Sequence, residues 1–100
     1  MQKIKVGFIG CGNMGGALAK AVGKSGIAEI FLADTLKDKA ENLARDISAD
    51  VSSAEEIAKM CKYIFLGVKP QMMSSLIEEI SPVLKTRNDR FILVTMAAGI

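Results

Sequence analysis

The sequence predicts an α/β protein with a doubly wound parallel sheet, arranged in three layers with helices on both faces. Short strand-like apolar runs alternate with segments whose apolar residues recur every three to four positions, as on one face of a helix. Such alternation implies parallel strands joined by right-handed crossovers. The nearly continuous apolar run at residues 63–66 is typical of a strand covered on both faces. We expect five strands in the order 3-2-1-4-5.

The predicted strands cover residues 3–9, 29–33, a short segment around Val51, 63–66 and 91–95. Four helices lie between them, and each has an apolar face. These faces consist of Met14, Ala17, Leu18, Ala21 and Val22 in the first helix, Ala40, Leu43, Ala44 and Ile47 in the second, Ile57, Ala58 and Cys61 in the third, and Met73, Leu76, Ile77, Ile80 and Leu84 in the fourth.

Local signals predict where the helices begin and end. The Ser25-Gly26 pair marks the end of the first helix. Ser53 and Glu56 have the spacing of a capping box that opens the third helix. Pro70 fits just inside the start of the fourth helix, and we expect Pro82 to shorten or kink it.

The composition limits which classes of function are possible. One hundred residues, 50% hydrophobic and 24% charged, predict one globular domain. A net charge of +2 without a basic cluster argues against nucleic-acid binding, and no apolar run is long enough to cross a membrane. Met1 leads directly into a predicted strand without a signal-peptide pattern, so we expect a cytoplasmic protein with no membrane partner. The chain has no His, and Cys11 and Cys61 lack metal-ligand spacing, so we expect neither a metal site nor a disulfide.

The strongest chemical signal is the segment Gly10-Cys11-Gly12-Asn13-Met14-Gly15, a GxGxxG motif between a strand and a helix. In this context Gly10 permits a tight turn, Gly12 lets the backbone approach a pyrophosphate, and Gly15 lets the helix pack close to the strand. Backbone N–H groups and the positive end of the helix dipole then face the phosphates. The alternative is a glycine-rich turn that binds nothing. We interpret Cys11 as a small residue in a crowded turn rather than a reactive thiol.

Asp34, which ends the second predicted strand, is the second signal. An acidic residue there accepts hydrogen bonds from the adenosine ribose and repels a 2′-phosphate, which favours NAD(H) over NADP(H). The alternative is a helix N-cap for the segment that starts near Leu36. Lys37 and Lys39 lie close enough to hold a phosphate, or they form a solvated face.

The third signal comprises Gly67-Val68-Lys69-Pro70-Gln71 after the fourth strand and Met96-Ala97-Ala98-Gly99 after the fifth. Ligands of doubly wound sheets lie at the carboxyl ends of the strands, where the winding direction reverses. We therefore expect both segments to line the nicotinamide half of the site, with Lys69 reaching the cofactor. The alternative for Lys69 is a surface lysine before a helix.

Together these segments resemble the amino-terminal domain of pyrroline-5-carboxylate reductase. The matching stretches are GFIGCGNMGGAL (residues 7–18), FLGVKPQ (65–71) and VTMAAGI (94–100), and the last two are the more specific. The resemblance covers the whole chain and implies a Rossmann-like, NAD(P)-binding domain.

The resemblance also assigns roles to individual residues, none of them catalytic. It implies that Ile9, Gly10, Cys11, Gly12, Asn13 and Met14 hold the pyrophosphate, that Val68, Lys69 and Pro70 contact the nicotinamide-ribose side, and that Ala97 and Ala98 contact the nicotinamide region. Where many members carry a pair suited to the 2′-phosphate, this chain has Asp34 and Thr35, so both NADPH and NADH stay open. Ala54 replaces a common asparagine on the adenosine side.

The family reduces 1-pyrroline-5-carboxylate to L-proline with NADPH or NADH. The resemblance implies that residues 1–100 form the cofactor-binding domain, and that a following helical domain supplies the imine-substrate pocket and the homo-oligomer contacts. The chain ends directly after a predicted strand, so we expect a longer parent protein and an inactive isolated domain. The alternatives are a related imine or 3-hydroxyacid dehydrogenase domain, or a dinucleotide-binding module without catalysis.

Overall fold

A computed structural model describes residues 4–10, 13–26, 28–34 and 37–95. Five parallel strands form one sheet in the order β3-β2-β1-β4-β5, which confirms the predicted fold class and strand order. The elements are β1 (Ile4–Ile9), α1 (Asn13–Ser25), β2 (Ala28–Ala33), α2 (Lys37–Ile47), β3 (Asp50–Val51), α3 (Ala54–Met60), β4 (Tyr63–Leu66), α4 (Pro70–Lys85) and β5 (Ile92–Thr95).

Two apolar clusters, one on each face of the sheet, form the core. Alternate residues of β1 and β2 point to opposite faces, so each strand contributes to both clusters. On one face α1 and α2 cover Val6, Phe8, Ile30 and Leu32; on the other α3 and α4 cover Ile9, Phe31, Ala33, Ile64 and Leu66. This is the predicted three-layer arrangement.

One stacked aromatic pair joins the two central strands. Phe8 and Phe65 are register partners on β1 and β4, and their ring centroids lie 4.9 Å apart. Such a pair contributes about 0.5–1.5 kcal/mol beyond the area it buries. It therefore strengthens the contact between β1 and β4, where the winding direction of the sheet reverses.

The predicted faces of α2 and α3 are confirmed, whereas those of α1 and α4 need correction. In α1, Ala17 and Ala21 are exposed and Ala19 is fully buried. Because the helix carries small apolar residues on several sides, its periodicity did not distinguish the buried stripe from the one beside it. In α4, Leu76 and Ile80 are buried but Ile77 is 44% exposed.

Pro82 does not end α4, which continues to Lys85, so the expected shortening is wrong. A proline removes the hydrogen bond to the carbonyl four residues earlier. That carbonyl belongs to Glu78, an exposed residue, so water can replace the lost partner. A solvated face thus tolerates a proline that a buried face would not.

The third helix, α3, is held at both ends. At its start, Ser53 Oγ accepts a hydrogen bond from the Glu56 N–H at 3.1 Å, and Glu56 Oε1 accepts one from the Ser53 N–H at 3.2 Å, which confirms the capping box. At its end, Arg87 Nη1 donates to the carbonyls of Ala58 at 2.8 Å and Cys61 at 2.6 Å. No local sequence pattern predicts this second contact.

No helix among the described residues is both long and apolar enough to span a bilayer.

Candidate functional site

The carboxyl ends of β1, β2 and β4 lie level with one another. Ile9 is the register partner of Ala33 on β2 and of Leu66 on β4. The segments that follow these strands therefore leave the sheet side by side, along what we call the carboxyl edge. Because β1 leads toward β2 and β4 leads toward β5, the winding direction reverses between β1 and β4, the place where doubly wound sheets bind ligands.

Gly10, the first residue after β1, adopts a conformation that favours glycine. Its φ is 96°, and its N–H donates a hydrogen bond to the Ala33 carbonyl at 2.7 Å. A Cβ added here would lie 2.7 Å from the carbonyl carbon of Gly67 and 2.8 Å from its oxygen. The positive φ of Gly10 is what the predicted tight turn requires, and the space beside it is too small for a side chain unless the Gly67 backbone moves.

Gly67 anchors the segment after β4 to the other side of β1. Its N–H donates to the Ile9 carbonyl at 2.7 Å, which continues the β1–β4 ladder beyond Leu66. Ile9 is only 4% exposed, so its backbone, not its side chain, faces this edge. Gly67 was part of the sequence motif, but it was not among the predicted site residues.

The amino end of α1 also lies at the carboxyl edge, since this helix begins at Asn13, three residues after Gly10. Its first turn contains no acidic residue, so nothing there opposes the positive end of the helix dipole. Asn13 and Met14 form part of this turn, and only their backbone is described. Cys11 and Gly12 lie outside the described residues.

Asp34 follows β2 directly and is half-buried, next to Ala33, whose carbonyl accepts the Gly10 hydrogen bond. The structure therefore places Asp34 one residue after the carbonyl that accepts the Gly10 hydrogen bond. Lys37 and Lys39 are exposed at the start of α2. Thr35 lies outside the described residues, as does Leu36, so the alternative role of Asp34 as an N-cap stays a prediction.

The segment after β4 leads directly into α4. Val68 is half-buried against the apolar cluster under α3 and α4. Lys69 is the N-cap of α4, is exposed, and makes no side-chain capping hydrogen bond. Pro70 occupies the first turn, as predicted. Ala97 and Ala98, which were expected to complete the nicotinamide side after the fifth strand, lie outside the described residues.

The described part of this edge offers backbone N–H groups, the Asp34 carboxylate, Lys69 and the exposed charges at the start of α2, which suit binding and orientation. Among the described residues there is no group of three or more His, Cys, Asp or Glu that could hold a metal ion. Burial raises the pKa of the Cys61 thiol to about 11, and Cys61 precedes β4, so it lies at the opposite edge of the sheet. The Gly67 backbone fills the space beside Gly10, and the amino end of α1, whose first turn has no acidic residue, fits a pyrophosphate held by backbone groups.

Curated proteins and solved structures similar to this chain are oxidoreductases. The chain is 36% identical to pyrroline-5-carboxylate reductase of Escherichia coli over all of its own length and 37% of that protein. A pyrroline carboxylate reductase of Plasmodium falciparum, solved with NADP bound, is 30% identical with a TM-score of 0.76, and the match covers 100% of this chain and 36% of that one. An imine reductase variant of Myxococcus stipitatus, in complex with NAD⁺, is 26% identical with a TM-score of 0.80, over 98% of this chain and 33% of that one.

These likenesses confirm the Rossmann-like fold and the resemblance found in the sequence. The chain spans only about 37% of the length of the curated relatives it matches first. Residues 5–99 match the sequence profile of a family described as NADP oxidoreductase, coenzyme F420-dependent. Because that match covers nearly the whole chain, the protein belongs to this family of NADP oxidoreductases.

Proposed function

We propose that this chain is the cofactor-binding domain of an NAD(P)H-dependent oxidoreductase that reduces 1-pyrroline-5-carboxylate to L-proline. The geometry around Gly10 carries the proposal. A glycine turn with no room for a side chain, the amino end of α1 and the segment after β4 meet where the winding direction of the sheet reverses. The 36% identity to the E. coli pyrroline-5-carboxylate reductase supports the choice of substrate.

In this proposal the residues of the carboxyl edge bind and orient the dinucleotide. The loop from Ile9 to Met14 holds the pyrophosphate with backbone N–H groups, and Asp34 and Thr35 lie beside the adenosine ribose. The segment Val68-Lys69-Pro70 faces the nicotinamide ribose. The Lys69 side chain makes no hydrogen bond that caps α4. Ala97 and Ala98 would complete the nicotinamide side. The bound nicotinamide supplies the hydride, and the protein supplies its position.

The substrate pocket belongs to a second domain in this proposal. The relatives are nearly three times as long as this chain, and the described residues at the carboxyl edge include neither His nor Tyr. A helical domain of the parent protein would supply the imine pocket and the oligomer contacts. The isolated chain would then bind the dinucleotide without turnover, and the parent enzyme would work in the cytoplasm.

Two titrations and one assay test this proposal. Calorimetric titration of this chain with NADPH and with NADH should show saturable binding of at least one of them. Incubation of the chain with 1-pyrroline-5-carboxylate and the bound nucleotide should give no proline, whereas the full-length protein should produce it. Proline formation by these residues alone would contradict the division into two domains.

A second candidate is an imine reductase acting on a different cyclic imine. It is favoured by the likeness to the imine reductase of Myxococcus stipitatus. The full-length protein assayed against a panel of cyclic imines, with and without a carboxylate next to the C=N bond, separates the two. Preference for imines that lack the carboxylate would replace the first candidate by the second.

A further inference from the structure

We propose that Gly10 is a positioning residue that couples two cofactor loops: it sets the distance between the loop after β1 and the segment 67–69 after β4, so that both move as one unit. This inference rests on the proposed function for the identity of the ligand. The coupling itself is a property of the unliganded chain and can be tested without any ligand.

The first observation is the closeness of the two backbones. The three atoms nearest to an added Gly10 Cβ are the Gly67 carbonyl carbon at 2.7 Å, its oxygen at 2.8 Å and the Val68 nitrogen at 3.0 Å. All three are backbone atoms. A flexible side-chain end could rotate away from a new methyl group, but a backbone segment must move as a whole.

The second observation is that hydrogen bonds fix both loops to neighbouring strands. Gly10 donates to the Ala33 carbonyl on β2, and Gly67 donates to the Ile9 carbonyl on β1, each at 2.7 Å. Beyond Gly67, the half-buried Val68 packs on the core, and Lys69 begins α4. The segment after β4 is therefore held on its far side by packing and on its near side by the Gly67 hydrogen bond and by contact with Gly10.

A methyl group at Gly10 would push this segment away from β1 and weaken the hydrogen bond between Gly67 and Ile9. Gly26 offers a matched control, because it also has a positive φ, 69°, but no atom lies within 4 Å of an added Cβ. Alanine is strained at both positions, and more so at Gly10, whose φ lies further from the left-handed helical region. Only alanine at Gly10 adds the contact with Gly67.

Amide hydrogen exchange tests the coupling directly. In Gly10→Ala the Gly67 amide should exchange at least about tenfold faster than in Gly26→Ala, while the amides of β2 that do not contact Gly10 should exchange alike in both variants. An unchanged Gly67 amide in a folded Gly10→Ala would overturn the proposal. So would equal acceleration of the Gly67 amide in the two variants.

A titration of the unmutated chain keeps the proposal testable if Gly10→Ala does not fold. ADP carries the adenosine and pyrophosphate but no nicotinamide. If the loops are coupled, ADP should shift the NMR amide signals of Gly10, Gly67 and Val68 together, with one apparent dissociation constant. A shift of Gly10 that leaves Gly67 and Val68 in place would contradict the coupling. If neither ADP nor NADPH binds, the proposed function fails, and the exchange rates in Gly10→Ala and Gly26→Ala still decide the coupling.

Discussion

The two edges of the sheet are held together by different means. At the carboxyl edge the anchors are backbone hydrogen bonds from Gly10 and Gly67, and the close contact between them excludes side chains. At the opposite, amino edge a buried side chain adds to the backbone hydrogen bonds from Lys62 and Ile92: that of Arg87 is 4% exposed, and its guanidinium bonds the Ala58 and Cys61 carbonyls and Asp89. At the carboxyl edge the amino end of α1 adds backbone donors that have no partner within the helix, whereas at the amino edge the guanidinium uses its donors for stability.

Under the proposed function, binding and stability are divided between the edges. A ligand that lies against backbone needs a surface without side chains, which glycine provides. The Arg87 guanidinium donates hydrogen bonds to two carbonyls at the end of α3. Carbonyls at the end of a helix have no partner within the helix, so these bonds stabilise the fold. Changes at the amino edge should therefore affect stability with little effect on dinucleotide binding.

The largest expected effect follows replacement of Arg87 by methionine. Loss of its hydrogen bonds leaves the carbonyls of Ala58 and Cys61 without these partners, so Arg87→Met should lower the free energy of unfolding by about 2 kcal/mol. Urea denaturation measures this change. The exposed Arg90 gives a control, and Arg90→Met should change stability by less than about 0.5 kcal/mol. Equal losses in both variants, or loss of NADPH affinity in folded Arg87→Met, would contradict the division between the edges.

The ion pair between Arg87 and Asp89 predicts that the protein loses stability at acidic pH. The hydrogen bond from Arg87 lowers the pKa of the Asp89 carboxyl, so its ionised form is favoured in the folded state. The contribution of the Asp89 carboxylate to the free energy of unfolding is therefore present above its unfolded-state pKa. It is lost as the pH falls through the folded-state pKa, below about pH 4. Urea midpoints should fall more steeply over that range in the unmutated chain than in Asp89→Asn. If the urea midpoints of the two proteins fell in parallel with pH, Asp89 would not be responsible for the loss of stability.

At the carboxyl edge, a smaller effect is expected for Asp34. Asp34→Ser removes a carboxylate that repels a 2′-phosphate, so the affinity for NADPH relative to NADH should rise about fivefold. Calorimetric titrations with both nucleotides measure the ratio. Asp38→Ser removes an exposed charge from the first turn of α2 and should leave the ratio nearly unchanged. An unchanged ratio in Asp34→Ser, or the same rise in both variants, would place Asp34 away from the adenosine ribose.

The smallest effect is expected at Ser48, after α2. Ser48 has a φ of 58°, a left-handed conformation that glycine adopts without the steric cost of a Cβ. Because glycine also costs entropy on folding, Ser48→Gly should raise the free energy of unfolding by only about 0.5 kcal/mol. Thermal unfolding measures this gain, and nucleotide affinity should not change. A loss of stability would show that the Ser48 side chain stabilises the protein by more than its left-handed conformation destabilises it.

Local and periodic signals predicted much of the fold. The strand order followed from the alternation of strands and helices, and the capping box at Ser53 followed from a spacing of three residues. The Arg87 contacts could not be predicted, because their partners lie 26 and 29 residues earlier and no periodicity links them. The buried face of α1 was misplaced because its alanines and glycines give little contrast between adjacent stripes.

The candidate site was predicted as a set of loops but not as a set of contacts. The motif identified Gly10 as a turn, and strand order brought the segments after β1, β2 and β4 to one edge. The contact between Gly10 and Gly67 depends on the register of β1 against β4, which the sequence does not encode locally. Two glycines that each directly follow a neighbouring strand are the signal that could have suggested it.

The most direct test of the division between the edges is an NMR titration of the isotope-labelled chain with NADPH and with NADH. We expect amide shifts at Gly10, Asp34, Gly67, Val68 and Lys69, with the amides of Cys61, Arg87 and Asp89 unchanged. Shifts confined to the amino edge, or no shifts at millimolar nucleotide, would contradict the assignment of dinucleotide binding to the carboxyl edge.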